Sequence, residues 1–183
     1  WPRLAYGPAP AKGQRAEREY LDIYLRTLCS EEEVHRALAK VAQPAIELLQ
    51  VTRVPYPLPS VQNLAAAVRY RVKGDFSRFN LSGRKIEDWA KAGNITVTLR
   101  SLNGMSCQKD LTPGLLNAST IAPDEVALTL MPINGKWVLP QWFVAAWLGI
   151  EIPAQAESFE LEGLIFIRQN FYWQDSQGEL HPM

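Results

Sequence analysis

A chain of 183 residues is long enough to bury a core, and 47% hydrophobic against 21% charged residues rules out intrinsic disorder. Nineteen basic residues balance nineteen acidic ones, so no global field draws the chain to nucleic acid or membrane, and any such binding must come from a local patch. No apolar run approaches the roughly 18 residues of a membrane span.

Residues 1–18 hold three prolines and two glycines and read as an extended lead-in, with a short strand at Arg3–Tyr6. The chain opens on Trp1 rather than methionine, so it is expected to be a piece of something longer. From Glu19 to Leu25, Leu21, Ile23 and Leu25 share one parity while Tyr20, Asp22 and Tyr24 share the other, which is a strand. Ser30-Glu31-Glu32-Glu33 forms a capping box, and Val34, Ala37, Leu38 and Val41 continue it as an apolar helical stripe ending before Pro44. A second strand is expected over Ala45–Pro55, closed by Pro55, Pro57 and Pro59, with a helical turn from Ser60 to Leu64. Ala67–Lys73 is the clearest strand, Val68, Tyr70 and Val72 on one side and Arg69, Arg71 and Lys73 on the other.

A helix starting at Leu81 or Ser82 turns Ile86, Trp89 and Ala90 inward and stops at Gly93. Ile95, Val97 and Leu99 then alternate with Thr96, Thr98 and Arg100, and Asn103-Gly104 turns this strand into a hairpin with Met105–Leu111. Residues 113–123 read as irregular, Glu125–Met131 as a strand, and Asn134-Gly135 as a second tight turn. Pro140 opens a helix that is apolar nearly all round (Trp142, Phe143, Val144, Ala146, Trp147, Leu148) and ends at Gly149. Phe159–Phe171 forms a last strand, and Trp173–Met183 is a polar tail. The resulting expectation is an α+β fold: a lead-in over 1–18, a ferredoxin-like β-α-β-β-α-β unit over 19–101, and a hairpin-helix-strand extension over 102–183, all one structural domain.

Arg69, Arg71 and Lys73 set three cations along one strand face at roughly 7 Å spacing, and Arg53 and Arg100 on neighbouring strands would extend it. That makes the open sheet face a candidate for RNA, although the aromatic on this strand, Tyr70, lies on the opposite side. Trp137, Trp142, Phe143 and Trp147 read either as core or as a partner-docking surface. Two cysteines, Cys29 and Cys107, and two histidines, His35 and His181, show no ligand spacing, so no zinc or iron site is expected. Free thiols in a reducing compartment make the expected location cytoplasmic. Neither a nucleophile-base motif nor a phosphate loop is present.

Several segments, in their order, resemble a bacterial domain family that occurs with cobalamin-binding radical SAM proteins, fused to their C-terminus or encoded beside them. They are Pro2-Arg3-Leu4-Ala5-Tyr6-Gly7 with Pro10 and Gly13, Glu19-Tyr20-Leu21-Asp22-Ile23, the helix Ser30–Val41, Ala67 with Tyr70 and Val72, Lys109-Asp110-Leu111, and Gly135–Pro140 leading into the Trp-rich helix. The family pattern carries a further strand and helix in front, an arginine soon after Asp110 where Thr112 stands, and another before Pro140 where Leu139 stands. The resemblance singles out Glu19, Asp22 and Asp110 as family-matching polar residues, Asp110 with a turn-capping role as the plainer alternative. It implies a radical SAM protein or domain as partner, with the iron-sulfur cluster, SAM and cobalamin held elsewhere. The reading is a non-catalytic accessory domain that positions a macromolecular substrate, RNA being the candidate. The alternative is a protein-interaction or structural domain with no nucleic-acid contact. A free-standing enzyme is disfavoured by the missing motifs.

Overall fold

Buried Val68, Tyr70 and Val72 alternate with half-buried Arg69, Arg71 and Lys73, so the central strand gives one face to a core and one to solvent. The computed structural model describes residues 3–11, 13–44, 46–55, 57–79, 83–100, 103–153 and 161–183. In chain order its strands and helices begin β1 (Arg3–Tyr6), β2 (Arg15–Ala16), β3 (Leu21–Tyr24), α1 (Glu31–Val41) and α2 (Val61–Leu64). Next come β4 (Ala65–Gly74), α3 (Ile86–Lys91), β5 (Thr96–Arg100), β6 (Ser106–Asp110), β7 (Leu115–Ala122) and β8 (Glu125–Leu130). The last are α4 (Pro140–Leu148), β9 (Ile152–Pro153), β10 (Leu164–Gln174) and β11 (Leu180–Pro182). The class is α+β. None of the helices among the described residues is long and apolar enough to cross a membrane.

Two compact units are present, Trp1–Gly7 with Tyr20–Asn63 and Pro8–Glu19 with Leu64–Met183. The second unit holds a sheet in the order β11-β10-β4-β8-β7, antiparallel throughout, with β2 laid parallel against β10. The register sets Val68 opposite Leu130, Tyr70 opposite Leu128 and Val72 opposite Val126, while Phe166 and Phe171 of β10 flank β4 from the other side. A second sheet runs β6-β5-β9. Helix α3 packs on β7 and α4 on β5, burying Ile86, Trp89, Phe143, Val144 and Trp147.

The first unit is built differently. A two-stranded ribbon pairs β1 with β3, setting Leu4 opposite Ile23 and Tyr6 opposite Leu21. Ser30 caps α1 as its sequence requires: its hydroxyl accepts from the Glu33 amide at 3.1 Å and the Glu33 carboxylate accepts from the Ser30 amide at 2.8 Å.

The ferredoxin-like arrangement does not form, because the three of its four expected strands that are present fall into three different sheets. β3 pairs with β1, β4 with β8 and β10, and β5 with β6 and β9. Its expected second strand is missing: residues 46–55 contain none. Their apolar residues fall on both parities (Ile46, Leu48 and Val54; Leu49 and Val51), so no single face gains from joining a sheet. β4 instead finds its neighbours far along the chain, where Phe166, Phe171, Leu128 and Leu130 complete its buried face. The stretch expected to be irregular contains β7, and the polar tail contains β11. Both tight turns stand as expected, with positive φ at Gly104 (79°), Asn134 (51°) and Gly135 (73°). The helix expected from Leu81 or Ser82 begins instead at Ile86, and the strand expected from Phe159 begins at Leu164, because residues 83–85 and 161–163 are neither helix nor strand. Leu81, Ser82 and Phe159 themselves, Ala45 at the head of the missing strand and Ser101 at the unit's end lie outside the described residues.

Candidate functional site

Strand period brings Arg69, Arg71 and Lys73 to one open face of the larger sheet, and the register decides what stands beside them. Lys73 lies opposite Glu125, Arg71 opposite Ala127 and Arg69 opposite Thr129. Lys73 Nζ reaches the Glu125 carboxylate at 3.0 Å. Arg71 bonds Glu125 at 3.2 Å and also Glu17, from the segment that β2 holds against β10. Two of the three cations therefore meet two carboxylates. Arg69 forms no ion pair among the described residues, and its buried Nε has no hydrogen-bond partner. Tyr172 of β10 stands opposite Ala67 and so shares this face, an aromatic that sequence parity on β4 alone could not supply. Ala67 itself is fully buried, so the open cationic stretch ends at Arg69.

The other two cations expected here do not join it. Arg53 lies in the strandless 46–55 stretch, its amide bonded to Glu31 at 2.6 Å, and Arg100 lies on β5 in the smaller sheet, 3.8 Å from Glu151. Sequence reasoning placed them by assuming strand neighbours that tertiary pairing does not make.

Of the three tryptophans expected to pack or dock, one goes inward and two are half-buried. Trp147 is 5% exposed, stands against Phe76 at 5.3 Å between ring centres, and donates its indole N–H to the Arg84 carbonyl. Phe143 is fully buried. Trp137 is half-buried, edge-on to Phe171, and Trp142 is half-buried beneath the Lys109 ammonium at 4.5 Å. The helix is apolar all round because it is buried nearly all round.

The family-matching acids each have a local duty. Asp110 accepts the Thr112 amide at 2.8 Å, and hydrogen bonds from Thr112 hold its carboxyl below the usual carboxylate range. Asp22 accepts the Val61 amide at 2.8 Å, holding the start of α2. Glu19 grips Arg168 through both carboxylate oxygens at 2.5 Å. Arg168 is 1% exposed, also donates to the Pro8 carbonyl, and stands opposite Tyr70. Burial pushes the Tyr70 phenol above its ordinary value, with the nearby guanidinium opposing. Arg168 was legible in principle: it sits on the inward parity of its strand, two residues after Phe166.

The first unit offers another kind of surface. Leu4, Tyr6, Leu21 and Ile23 share one face of the β1–β3 ribbon, and the first three are 43%, 62% and 42% exposed. Helix α1 buries no residue, and Val41 at its end is 77% exposed. An open groove of about 720 Å³ separates α1 from Leu49, Gln50 and Val51. Among the described residues of this unit, no large apolar side chain is buried.

A family model described as "Uncharacterized protein conserved in bacteria (DUF2344)" matches residues 1–138, and the chain belongs to that family. No curated protein and no solved structure matches it.

Proposed function

We propose that this member of the DUF2344 family is a non-catalytic accessory domain that works by binding a protein partner through its first unit, the partner being a radical SAM protein or domain. The observation that carries the reading is the apolar ribbon face of exposed Leu4, Tyr6 and Leu21 with half-buried Ile23, together with an α1 in the same unit that buries no residue. A two-stranded ribbon and a lone amphipathic helix are each marginal in water, so a unit made of both gains stability when a partner covers them. The radical SAM identity of that partner rests on the sequence resemblance alone.

The test titrates the purified chain with a cobalamin-binding radical SAM protein of the kind the resemblance implies and compares Tyr6→Glu and Leu21→Glu variants. Both side chains are exposed in the free chain, so the substitutions leave folding intact while placing a charge in the contact. The expected result is affinity at least about tenfold weaker in each variant. Equal binding by wild type and both variants, or no binding at all, overturns the reading.

Arg69 without a carboxylate, one register step along its face from the Ala67–Tyr172 pair, favours RNA as the second reading. On that reading Arg69→Glu lowers single-stranded RNA affinity and flattens its salt dependence by about one counterion. Two of the three cations on that face are already neutralised within the protein, which is why the protein-binding reading comes first.

A further inference from the structure

We propose that the β10–β11 hairpin is a binding site for a divalent transition-metal ion of the Zn²⁺ type, with Asp175, Glu179 and His181 as its three protein ligands. One donor atom from each residue lies within 4.8 Å of the other two, so a single ion reaches all three with small side-chain adjustments. The sequence spacing Asp-x3-Glu-x-His gave no hint of this, because only the antiparallel return of the chain brings position 181 back beside position 175.

The hairpin prepares two of these ligands. Asp175 Oδ1 accepts the Gln177 amide at 2.9 Å and the Glu179 amide at 2.8 Å, which fixes the carboxylate and leaves Oδ2 to face His181 Nε2 at 2.8 Å. Register sets Trp173 opposite His181, and the indole lies against the imidazole at 4.9 Å between ring centres, holding the ring's orientation. Backbone and ring contacts of this kind are how metal sites orient their ligands from outside the coordination sphere.

Glu179 is the exposed member of the set, its carboxylate solvated and free to turn toward an ion. Its backbone closes the turn with Asp175, but its carboxylate makes no hydrogen bond or ion pair among the described residues. It nevertheless stands beside a second carboxylate, with one imidazole as the only cation-forming group in the cluster. A divalent cation offsets this excess of negative charge. Imidazole nitrogen with carboxylate oxygen suits Zn²⁺ and its neighbours rather than Ca²⁺ or Mg²⁺, which favour all-oxygen sets. Three protein ligands leave a fourth tetrahedral position for water. The site lies within the second unit and does not depend on the partner-binding reading above.

The test is calorimetric titration of the full chain with Zn²⁺ alone, in a Cys29→Ser/Cys107→Ser background so that free thiols bind none of it. Glu179→Gln and His181→Ala are compared. Glu179→Gln leaves every hydrogen bond of the turn in place, so its metal-free thermal melting should be unchanged. The expected result is one Zn²⁺ per chain, bound at least about tenfold more weakly by Glu179→Gln and lost in His181→Ala, with the His181 imidazole resonances shifting on saturation. No binding at about 100 µM Zn²⁺, or equal binding by both variants, overturns the proposal.

Discussion

Replacing Glu19 by glutamine leaves the Arg168 guanidinium buried without a counter-charge. Arg168 is 1% exposed and Glu19 is 51% exposed, so the two partners differ sharply in what losing the other costs. Charges about 4 Å apart at an effective dielectric near 20 interact by roughly 4 kcal/mol. Solvent around the half-exposed carboxylate screens this to about 2 kcal/mol, below the full 3–5 kcal/mol range for an unpaired buried charge. Glu19→Gln should therefore lower the stability of the second unit by about 2 kcal/mol, or about 4–8 °C in Tm. In an Arg168→Met background the same change should cost close to nothing, since the carboxylate then has no cation to lose. Urea unfolding followed by tryptophan fluorescence, with all four chains of the cycle, measures this. Trypsin cleavage after Arg15 should also quicken in Glu19→Gln, because Arg168 ties Pro8 and Glu19 to β10. An equal cost of Glu19→Gln in both backgrounds would refute the assignment of this pair as the tie.

Three further outcomes are expected. Gly114→Ala should destabilise by about 1–3 kcal/mol, since a Cβ there would stand 2.8 Å from Ile133 and 2.9 Å from Phe143; Ile133→Val should recover part of the loss in urea titrations. Ser30→Ala should weaken α1 by about 1 kcal/mol, read as faster hydrogen exchange at the Glu33 amide that its hydroxyl now accepts. The Tyr70 phenol is raised above 10.0, chiefly by burial, so its stabilising share is complete below pH 10 and is lost as pH climbs through the folded value. The urea midpoint should accordingly fall as the pH rises above 10.0, and Tyr70→Phe should flatten that fall.

Local chemistry was readable wherever it closed within a few residues. The α1 capping box, the turns at Asn103-Gly104 and Asn134-Gly135, Pro140 and Gly149 bracketing α4, and the two-faced β4 all appear as their residues require. The duty of Asp110, capping the Thr112 amide, was legible for the same reason. Arg53 and Arg100 were misplaced, and Glu17, Glu125 and Tyr172 were not seen as their companions, because membership of a sheet face depends on which strands pair. The inward turn of Trp147 likewise depends on Phe76 and Arg84, over 60 residues upstream.

Composition and period by themselves determined that this chain is α+β, where α1 is capped, and which parity of β4 is apolar. Tertiary structure alone decided that β4 joins β10 and β8 rather than residues 46–55, that Glu17 and Glu125 neutralise Arg71 and Lys73, and that Asp175, Glu179 and His181 meet. The physical reason is one of range. A cap or a turn is settled by hydrogen bonds between near neighbours, whereas a strand's partner is whichever distant segment best completes its buried face.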